Sequence, residues 1–326
     1  MADPATTAHL PGAVRAACAQ VAAEATHVRI DTARIPDYAA ALLLETLPTP
    51  EYDLQHHFLG NPEETAAFVF TLDAINFGSG YFPHLRKRPE LSGYFTIAGA
   101  LTDHFRAHGP LSAPALATID AAACQQLFDQ PPDGGPIDEL MALFAASLND
   151  LGRHIAEQYD GRFAAPIEAA DGSATRLVAR LAAMPSFRDV APYRGRAVPF
   201  YKRAQITIAD LTLAFNGTGL GAFTDLDRLT IFADNLVPHV LRVDGLLHYD
   251  DALAAQIASG QPLAANSPEE VEIRAAAVHT AELLVAACAA HGHPTTAREL
   301  DYLLWNRGLA PIYRETPRHR TRTTAY

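Results

Sequence analysis

The chain has 326 residues, of which 49% are hydrophobic and 19% are charged, and its formal net charge is -12. This composition is typical of a globular protein with an ordinary hydrophobic core. Because so acidic a surface repels a nucleic-acid backbone, the charge argues against a protein that binds duplex DNA or RNA, whereas a pocket with a few local cations can still bind one small phosphorylated ligand.

The cysteines and the start of the chain argue against a secreted or membrane protein. Cys18, Cys124 and Cys288 lie far apart and lack the spacing of metal ligands, so we expect neither a disulfide framework nor a metal site. The first ten residues have no basic start followed by an apolar stretch, and no run approaches the roughly 18 apolar residues that span a bilayer. We therefore expect a cytoplasmic monomer without a membrane partner.

The pattern of apolar residues predicts a mainly helical protein. The clearest helix start is at Pro62, where Asn61 can cap the helix and the acidic Glu63 and Glu64 favour the positive end of the helix dipole. Helices are predicted over 12–24, 35–47, 62–75, 96–107, 113–128, 138–159 and 173–184. Without a repeat or a low-complexity linker, the sequence predicts a single mainly helical domain over residues 1–326.

Residues 187–200 break the helical pattern. Pro192, Gly195 and Pro199 punctuate this stretch, and residues 193–196 have the composition of a turn. We predict a small hairpin of two extended pieces here.

Residues 201–247 form the most informative segment. The predicted elements are a helix over 201–215, a glycine turn over 216–221, a second helix over 225–232, and a third helix with Pro238 in its first turn and Gly245 at its end. This order resembles the helix-hairpin-helix DNA glycosylases, in which an aspartate before the last helix supports cleavage of an N-glycosidic bond. The glycines do not predict a dinucleotide cofactor, because the strand that should precede them is missing.

Asp234 is the candidate catalytic residue of this segment. Breaking the bond between a sugar C1′ and a base nitrogen builds positive charge on the sugar. A carboxylate beside that carbon stabilises the charge and can orient or deprotonate the attacking water. The alternative is that Asp234 only caps the helix that follows it.

The start of the first helix in this segment carries cations. Lys202 and Arg203, beside Tyr201, are candidates to bind a phosphate through charge-assisted hydrogen bonds, although a solvated helix start has the same composition. Asp210 follows about two turns after Lys202, between apolar neighbours, and is either half-buried with a partner or exposed to solvent.

A second candidate site lies near the end of the helix that starts at Pro62. Asp73 and Asn76 are three residues apart and share a helix face, at the end where a carboxylate opposes the dipole. Their oxygens are natural acceptors for the N–H groups of a guanine-like base. Phe77 and Tyr81 could stack on such a base, although aromatic residues in such places are more often part of the core.

The last residues of the chain form a basic patch in an acidic protein. Five basic residues, Arg314, Arg318, His319, Arg320 and Arg322, stand against the single acidic Glu315. We expect either a disordered tail or a segment that folds back towards a phosphate or an acidic face.

Seven short strings together resemble one known family. They are FTLDAINF (70–77), PSFRDV (185–190), FYKRAQI (200–206), LTIFADNLVPHVL (229–241), EVEIRA (270–275), DYLLW (301–305) and HRTRTTAY (319–326). Their content and order are similar to those of the queuosine salvage proteins, the queuosine 5′-phosphate N-glycosylase/hydrolases. The resemblance covers the chain from about residue 63 to its end, and more loosely the part before it.

The resemblance implies an activity and a set of site residues. It implies hydrolysis of the bond between queuine and ribose 5-phosphate without a metal or redox cofactor, on a fold related to helix-hairpin-helix DNA glycosylases with added N-terminal helices. Asp234 would be the catalytic carboxylate, and the C-terminal segment would be ordered. The side chains expected to bind queuosine 5′-monophosphate are Lys202, Tyr201, Asp73, Asn76, Phe77, Asp210, Asn235, His239, Glu272, Arg322 and Tyr326.

Queuine carries an amine that is cationic near neutral pH, so its side of the pocket should hold a carboxylate. Asp73, Asp210 and Glu272 are the candidates, and the sequence does not choose among them. Three other functions stay open: a DNA-repair glycosylase, which the net charge disfavours, a non-catalytic binder of a queuosine metabolite, and a purely structural helical protein.

Overall fold

The computed structural model describes residues 10–42 and 50–326, and over these the chain is mainly helical, as predicted. The helices are α1 (Leu10–Glu24), α2 (Ile35–Ala41), α3 (Pro62–Ala74), α4 (Gly93–His108), α5 (Ala113–Thr118), α6 (Ala121–Leu127), α7 (Pro136–Tyr159), α8 (Ala165–Glu168), α9 (Ala174–Ala182), α10 (Lys202–Ala214), α11 (Val237–Val243), α12 (Asp251–Ala258), α13 (Pro268–Ala290), α14 (Ala297–Arg307) and α15 (Pro311–Glu315). Single 3₁₀ turns lie at Thr32–Arg34, Pro185–Phe187, Gly219–Gly221 and Leu226–Arg228.

Local capping explains several of these helix bounds. Asn61 caps the start of α3, as the sequence predicts, and Glu64 completes a reciprocal capping box with it. The single helix predicted over 113–128 is wrong: the chain forms α5 and α6 instead, because Asp120 caps a new helix through the N–H of Ala123. The helix predicted over 35–47 ends at Ala41 as α2, and residues 43–47 lie outside the described part of the chain.

Four short strands form two antiparallel pairs. Strands β2 (Val190–Tyr193) and β3 (Arg196–Pro199) make the hairpin predicted over 187–200. Strands β1 (Val28–Ile30) and β4 (Leu247–Tyr249) pair across more than two hundred residues of sequence, and no local pattern predicts that pairing.

Two hydrophobic clusters form the core, and they meet at the start of α10. The first lies among α3, α4, α7 and α9 and includes the buried rings of Phe68 and Phe144. The second lies among α1, α11, α13 and α14 and includes Val240 and Leu284. Tyr201 packs against both. That the whole chain is one domain stays a prediction.

Helix α13 is long and apolar enough to cross a membrane by length and composition alone. More than half of its apolar window is buried inside the protein, where it packs against α1, α2 and α14. Burial of this kind is what a core helix requires.

The structure corrects the prediction for residues 201–247. Helices α10 and α11 match the first and third predicted helices, but the second, over 225–232, is wrong: only the turn Leu226–Arg228 is helical there. Irregular backbone continues to Asp234. The described structure therefore shows a helix, a loop and a short helix here, and the helix-hairpin-helix relationship stays a prediction.

Candidate functional site

Residues 230–234 form an irregular segment at the junction of the two clusters, held by side chains from distant helices. Gln205 accepts a hydrogen bond from the N–H of Thr230 at 2.8 Å and donates to its hydroxyl at 2.8 Å. The carboxyl of Asp301, on α14, accepts from the N–H of Phe232 at 2.8 Å. These bonds satisfy backbone groups that a helix would have paired internally, so the segment stays extended and presents Asp234.

Asp234 has one carboxylate oxygen engaged and one free. Its Oδ1 accepts from the N–H groups of Leu236 and Val237, at 2.7 and 3.1 Å, so it does cap the start of α11. The residue is half-buried, and its Oδ2 receives no hydrogen bond from the described residues. Both alternatives raised for Asp234 are thus compatible in one geometry: the cap fixes the carboxylate and leaves one oxygen for another partner.

Lys202 lies between Asp234 and the end of α3. It is 4% exposed, and its Nζ donates to the backbone oxygen and the Oδ1 of Asn76 at 3.2 and 3.0 Å. Burial lowers the pKa of Lys202, and the charges of Asp234 and Asp73 oppose that shift. The ammonium is therefore a buried counter-ion for carboxylates.

A pair of carboxyl groups, Asp73 on α3 and Asp210 on α10, lies on the other side of Lys202. Asp73 is 1% exposed, hydrogen-bonds to Asp210, and accepts from the amide of Asn76 at 3.1 Å. Its Oδ2 receives no bond from a donor group in the described residues. Two carboxyls can share a hydrogen bond only when one of them holds a proton.

Burial sets the protonation of this pair. It raises the pKa of Asp73 to about 6, although the bond from Asn76 and the charge of Lys202 act in the opposite direction. It raises the pKa of Asp210 well above its ordinary range, and the negative charge of Asp73 adds to the shift. Near neutral pH the pair therefore holds about one proton between two groups.

Half-buried aromatic side chains lie on the side of Asp210 that faces α4 and α14. The charges of Asp210 and Asp73 raise the pKa of Tyr52 and Tyr94, though burial contributes most. Further along, the rings of Phe95 and Trp305 approach edge to face at 6.3 Å. Trp305 lies one turn after Asp301 on α14. These rings offer flat apolar surface beside the carboxyl groups.

Asp301 is a second buried carboxyl close to Asp234. Burial, and then the negative charge of Asp234, raise the pKa of Asp301 well above its ordinary range. The bond from Phe232 and the charge of Lys202 oppose this shift only in part. A neutral Asp301 beside Asp234 avoids two like charges in one pocket.

A fully buried ion pair fixes both Lys202 and Asp234. Arg274, on α13, donates to the two oxygens of Asp189 at 3.0 and 2.6 Å, and its Nε donates to the carbonyl of Ala233 at 3.0 Å. Asp189 also accepts from the N–H of Lys202 at 3.0 Å. The guanidinium lies under the ring of Phe200 at 3.9 Å and near the ring of Tyr326 at 4.9 Å. It is thus packed as well as paired.

The structure brings most of the predicted residues to this site. Asp234, Lys202, Asn76, Asp73 and Asp210 form one connected group, as described above. Tyr201, half-buried with a left-handed φ of 51°, lies at its edge and has a pKa raised by burial.

Three predicted residues support the site from behind. Asn235 donates to the carbonyl of His319 at 3.2 Å, and His239 bonds to the carbonyl of Tyr313 at 2.8 Å. Burial lowers the pKa of His239 to about 4, so it is neutral. Tyr326 covers Arg274, as described above.

Three predicted residues lie elsewhere. Glu272 is fully buried and accepts from the backbone N–H groups of residues 26–28 and from Tyr193, so its carboxylate is engaged on the opposite face of α13 from Arg274. Phe77 is 3% exposed, with its ring against Phe144 and Arg203. Arg322 forms an exposed ion pair with Glu139 at 3.4 Å.

Sequence reasoning missed several residues that shape this site. They are Asp301, Trp305, Arg274, Asp189, Gln205, Tyr52 and Tyr94. Only one local signal was available: Asp301 and Trp305 are four residues apart, which places both on one face of a helix.

The chain matches proteins of known family along most of its length. The sequence model of the queuosine salvage protein family matches residues 56–326. A Sphaerobacter thermophilus protein is 39% identical over 314 residues, which cover 94% of this chain and 95% of the relative. Proteins from Dictyostelium discoideum and Bos taurus are 36% and 30% identical, over 81% and 82% of this chain and 79% and 83% of their own. All three are named queuosine 5′-phosphate N-glycosylase/hydrolase.

Proposed function

Because the chain belongs to the queuosine salvage protein family, we propose that it hydrolyses the N-glycosidic bond of queuosine 5′-monophosphate and releases queuine, which can then be reused in tRNA modification. One observation carries this proposal: Asp234 is held by two backbone N–H groups while its second oxygen is free, inside a half-buried cluster of charged groups. A fixed carboxylate with a free oxygen is what cleavage of a glycosidic bond requires.

In the proposed reaction, Asp234 acts on the sugar and on water. As the C1′–N bond breaks, its electron pair leaves with the base, and positive charge grows on the ribose. The free oxygen of Asp234 stabilises that charge and accepts a proton from the water whose oxygen attacks C1′. The buried ammonium of Lys202 lies within electrostatic range of Asp234. Because Asp301 is neutral, it does not repel the carboxylate.

The base binds on the other side of Lys202. Queuine's cationic amine pairs with Asp73 and Asp210, because one proton shared by two carboxyls can be released when a cation arrives. Of the three carboxylates proposed from the sequence, Glu272 is excluded from this role by its bonds to residues 26–28. Tyr94 and Trp305 provide apolar surface against which the ring system packs. One chain supplies all of these groups, and we propose that the enzyme is a monomer.

The test is to incubate the protein with queuosine 5′-monophosphate and to follow free queuine by mass spectrometry. We expect release by the wild type and a reduction of kcat by about 100-fold or more in Asp234→Asn, since the amide keeps the cap but loses the charge. Asp120→Asn is the matched control, because Asp120 also caps a helix but lies outside the site. Tight binding of intact nucleotide without product would identify a binder instead, and turnover by Asp234→Asn near the wild-type rate would remove Asp234 from the mechanism.

A further inference from the structure

The C-terminal strap, residues 316–326, is ordered and crosses the site. The N–H of Leu263 donates to the carbonyl of Arg320 at 2.8 Å, and the N–H of Gly78 donates to Tyr326 O at 3.0 Å. Gly80 lies directly under the strap: a Cβ at this position would be 2.2 Å from the carbonyl oxygen of Thr321. The strap therefore rests on the loop after α3, close to Asn76, and joins it to the second hydrophobic cluster.

Arg318, on this strap, is half-buried and unpaired. Its side chain makes no hydrogen bond and no ion pair with any described residue, in contrast to Arg274, Arg307 and Arg322, each of which has a carboxylate partner. Burial lowers its pKa, and the charge of Asp234 acts against that shift. The neighbouring cations Arg314 and Arg320 repel the charge of Arg318 rather than neutralise it.

A half-buried guanidinium without a partner is unfavourable in free energy unless an anion binds to it. Removing a charged group from water without a partner is unfavourable, and arginine offers a planar set of donors that matches a phosphate in two parallel hydrogen bonds. Lys202, which the sequence suggested for this purpose, is 4% exposed and already donates to Asn76. Arg318 has no such partner in the described chain, and it lies next to Asp234 in space, because the carbonyl of the following residue, His319, accepts from the side chain of Asn235 at 3.2 Å.

We propose that Arg318 binds the 5′-phosphate of the substrate and so selects the nucleotide over the nucleoside. The inference rests on the proposed function, since Asp234 places C1′ of the sugar, and the 5′-phosphate of the same ribose must lie nearby. It also gives the strap a role: the contacts that order the strap hold Arg318, the proposed phosphate-binding residue, beside the catalytic carboxylate. Phosphate binding then supplies remote binding energy that positions the sugar.

The test compares queuosine 5′-monophosphate with queuosine for the wild type, Arg318→Gln, Arg318→Lys and Arg320→Gln. We expect Arg318→Gln to lower kcat/KM for the nucleotide by about 10- to 100-fold, the size expected for lost charged hydrogen bonds, and to change it less than about twofold for the nucleoside. Arg318→Lys should recover part of the loss. Arg320→Gln is the matched control, because that side chain is exposed and only its backbone carbonyl is engaged.

Equal losses on both substrates, or no loss on the nucleotide, would overturn the role of Arg318 while leaving the hydrolase intact. A second measurement is independent of turnover: calorimetric titration with ribose 5-phosphate should show binding to the wild type that weakens about 10-fold or more in Arg318→Gln. Unchanged binding there would also overturn the proposal. If the wild type releases no queuine yet binds ribose 5-phosphate through Arg318, the phosphate site stands and the proposed reaction fails. Melting curves check that each variant is folded.

Discussion

Two buried pairs of ionisable groups lie on either side of Lys202, and they differ in how far their charges are satisfied. Asp189 and Arg274 form a complete ion pair: both carboxylate oxygens and three nitrogens of the guanidinium have partners. Asp73 and Asp210 are two carboxyls together, and one oxygen of Asp73 has no donor. The hydrogen-bonding groups of the first pair are all occupied, whereas among the described residues the second pair lacks a cationic partner of its own.

This difference gives the two pairs different roles: the satisfied pair positions the backbone, and the unsatisfied pair is suited to bind a ligand. A satisfied buried pair fixes the backbone around it, and Asp189 and Arg274 do this for the start of α10 and for the residue before Asp234. An unsatisfied pair is unfavourable in the empty protein, and a complementary ligand relieves it. Arg318 belongs to the second class on the phosphate side. The site thus holds unmet charge of both signs.

The largest expected effect comes from breaking the satisfied pair. Asp189→Asn leaves the guanidinium of Arg274 buried without its main counter-ion, so the free energy of unfolding should fall by about 3–5 kcal/mol. Urea titration followed by circular dichroism measures it. Asp129→Asn is the control, since it breaks an exposed pair with Arg86 and should change stability little. If Asp189→Asn proves as stable as the control, the pair does not hold the site together.

A smaller effect is expected from the unsatisfied pair, and on catalysis rather than stability. Asp210→Asn removes one of the two carboxyls that face the amine, so kcat/KM for queuosine 5′-monophosphate should fall by about 10- to 100-fold. The same variant should lose much less with 7-deazaguanosine 5′-monophosphate, which lacks the amine. Its melting temperature should not fall, because a buried carboxyl that opposes another has been removed. Equal losses on the two nucleotides would show that Asp210 does not recognise the amine.

The sequence predicts the local half of this architecture. Asn61 and Pro62 determine where α3 begins, because capping depends on neighbours along the chain. The helix face predicted for Asp73 and Asn76 is wrong, since α3 ends at Ala74, but Asn76 still donates to Asp73 from the residues that follow. The helix predicted over 225–232 failed for the opposite reason. Its backbone is bonded by Gln205 and Asp301, and their proximity follows from tertiary packing alone.

The same limit applied to the choice among charged residues. Glu272 and Arg274 are two positions apart on α13, so they point to opposite faces, and only the fold shows which face meets the site. The structure places Lys202 near Asp234, but its partner Asn76 follows the end of α3, which is distant in sequence, and a role of Lys202 at the phosphate stays a prediction. Arg318 was one of several basic residues in a terminal segment whose order depends on contacts with Gly80 and Leu263.

The smallest expected effect is on how the free energy of unfolding depends on pH. The pKa of Asp73 is raised to about 6 in the folded protein from an ordinary carboxyl value near 4, so the native state binds more protons than the unfolded state between these values. The contribution of Asp73 to stability is therefore fully present below about pH 4 and is lost as the pH rises through about 6. In Asp210→Asn the group whose pKa is raised furthest is gone, so its part of the pH dependence disappears, while burial still raises the pKa of Asp73. Between pH 4 and 7 the variant should therefore lose less stability with rising pH than the wild type does, measured by urea unfolding at each pH. A constant difference across that range would mean that the two carboxyls do not share a proton, and the contrast with Asp189 and Arg274 would then rest on geometry alone.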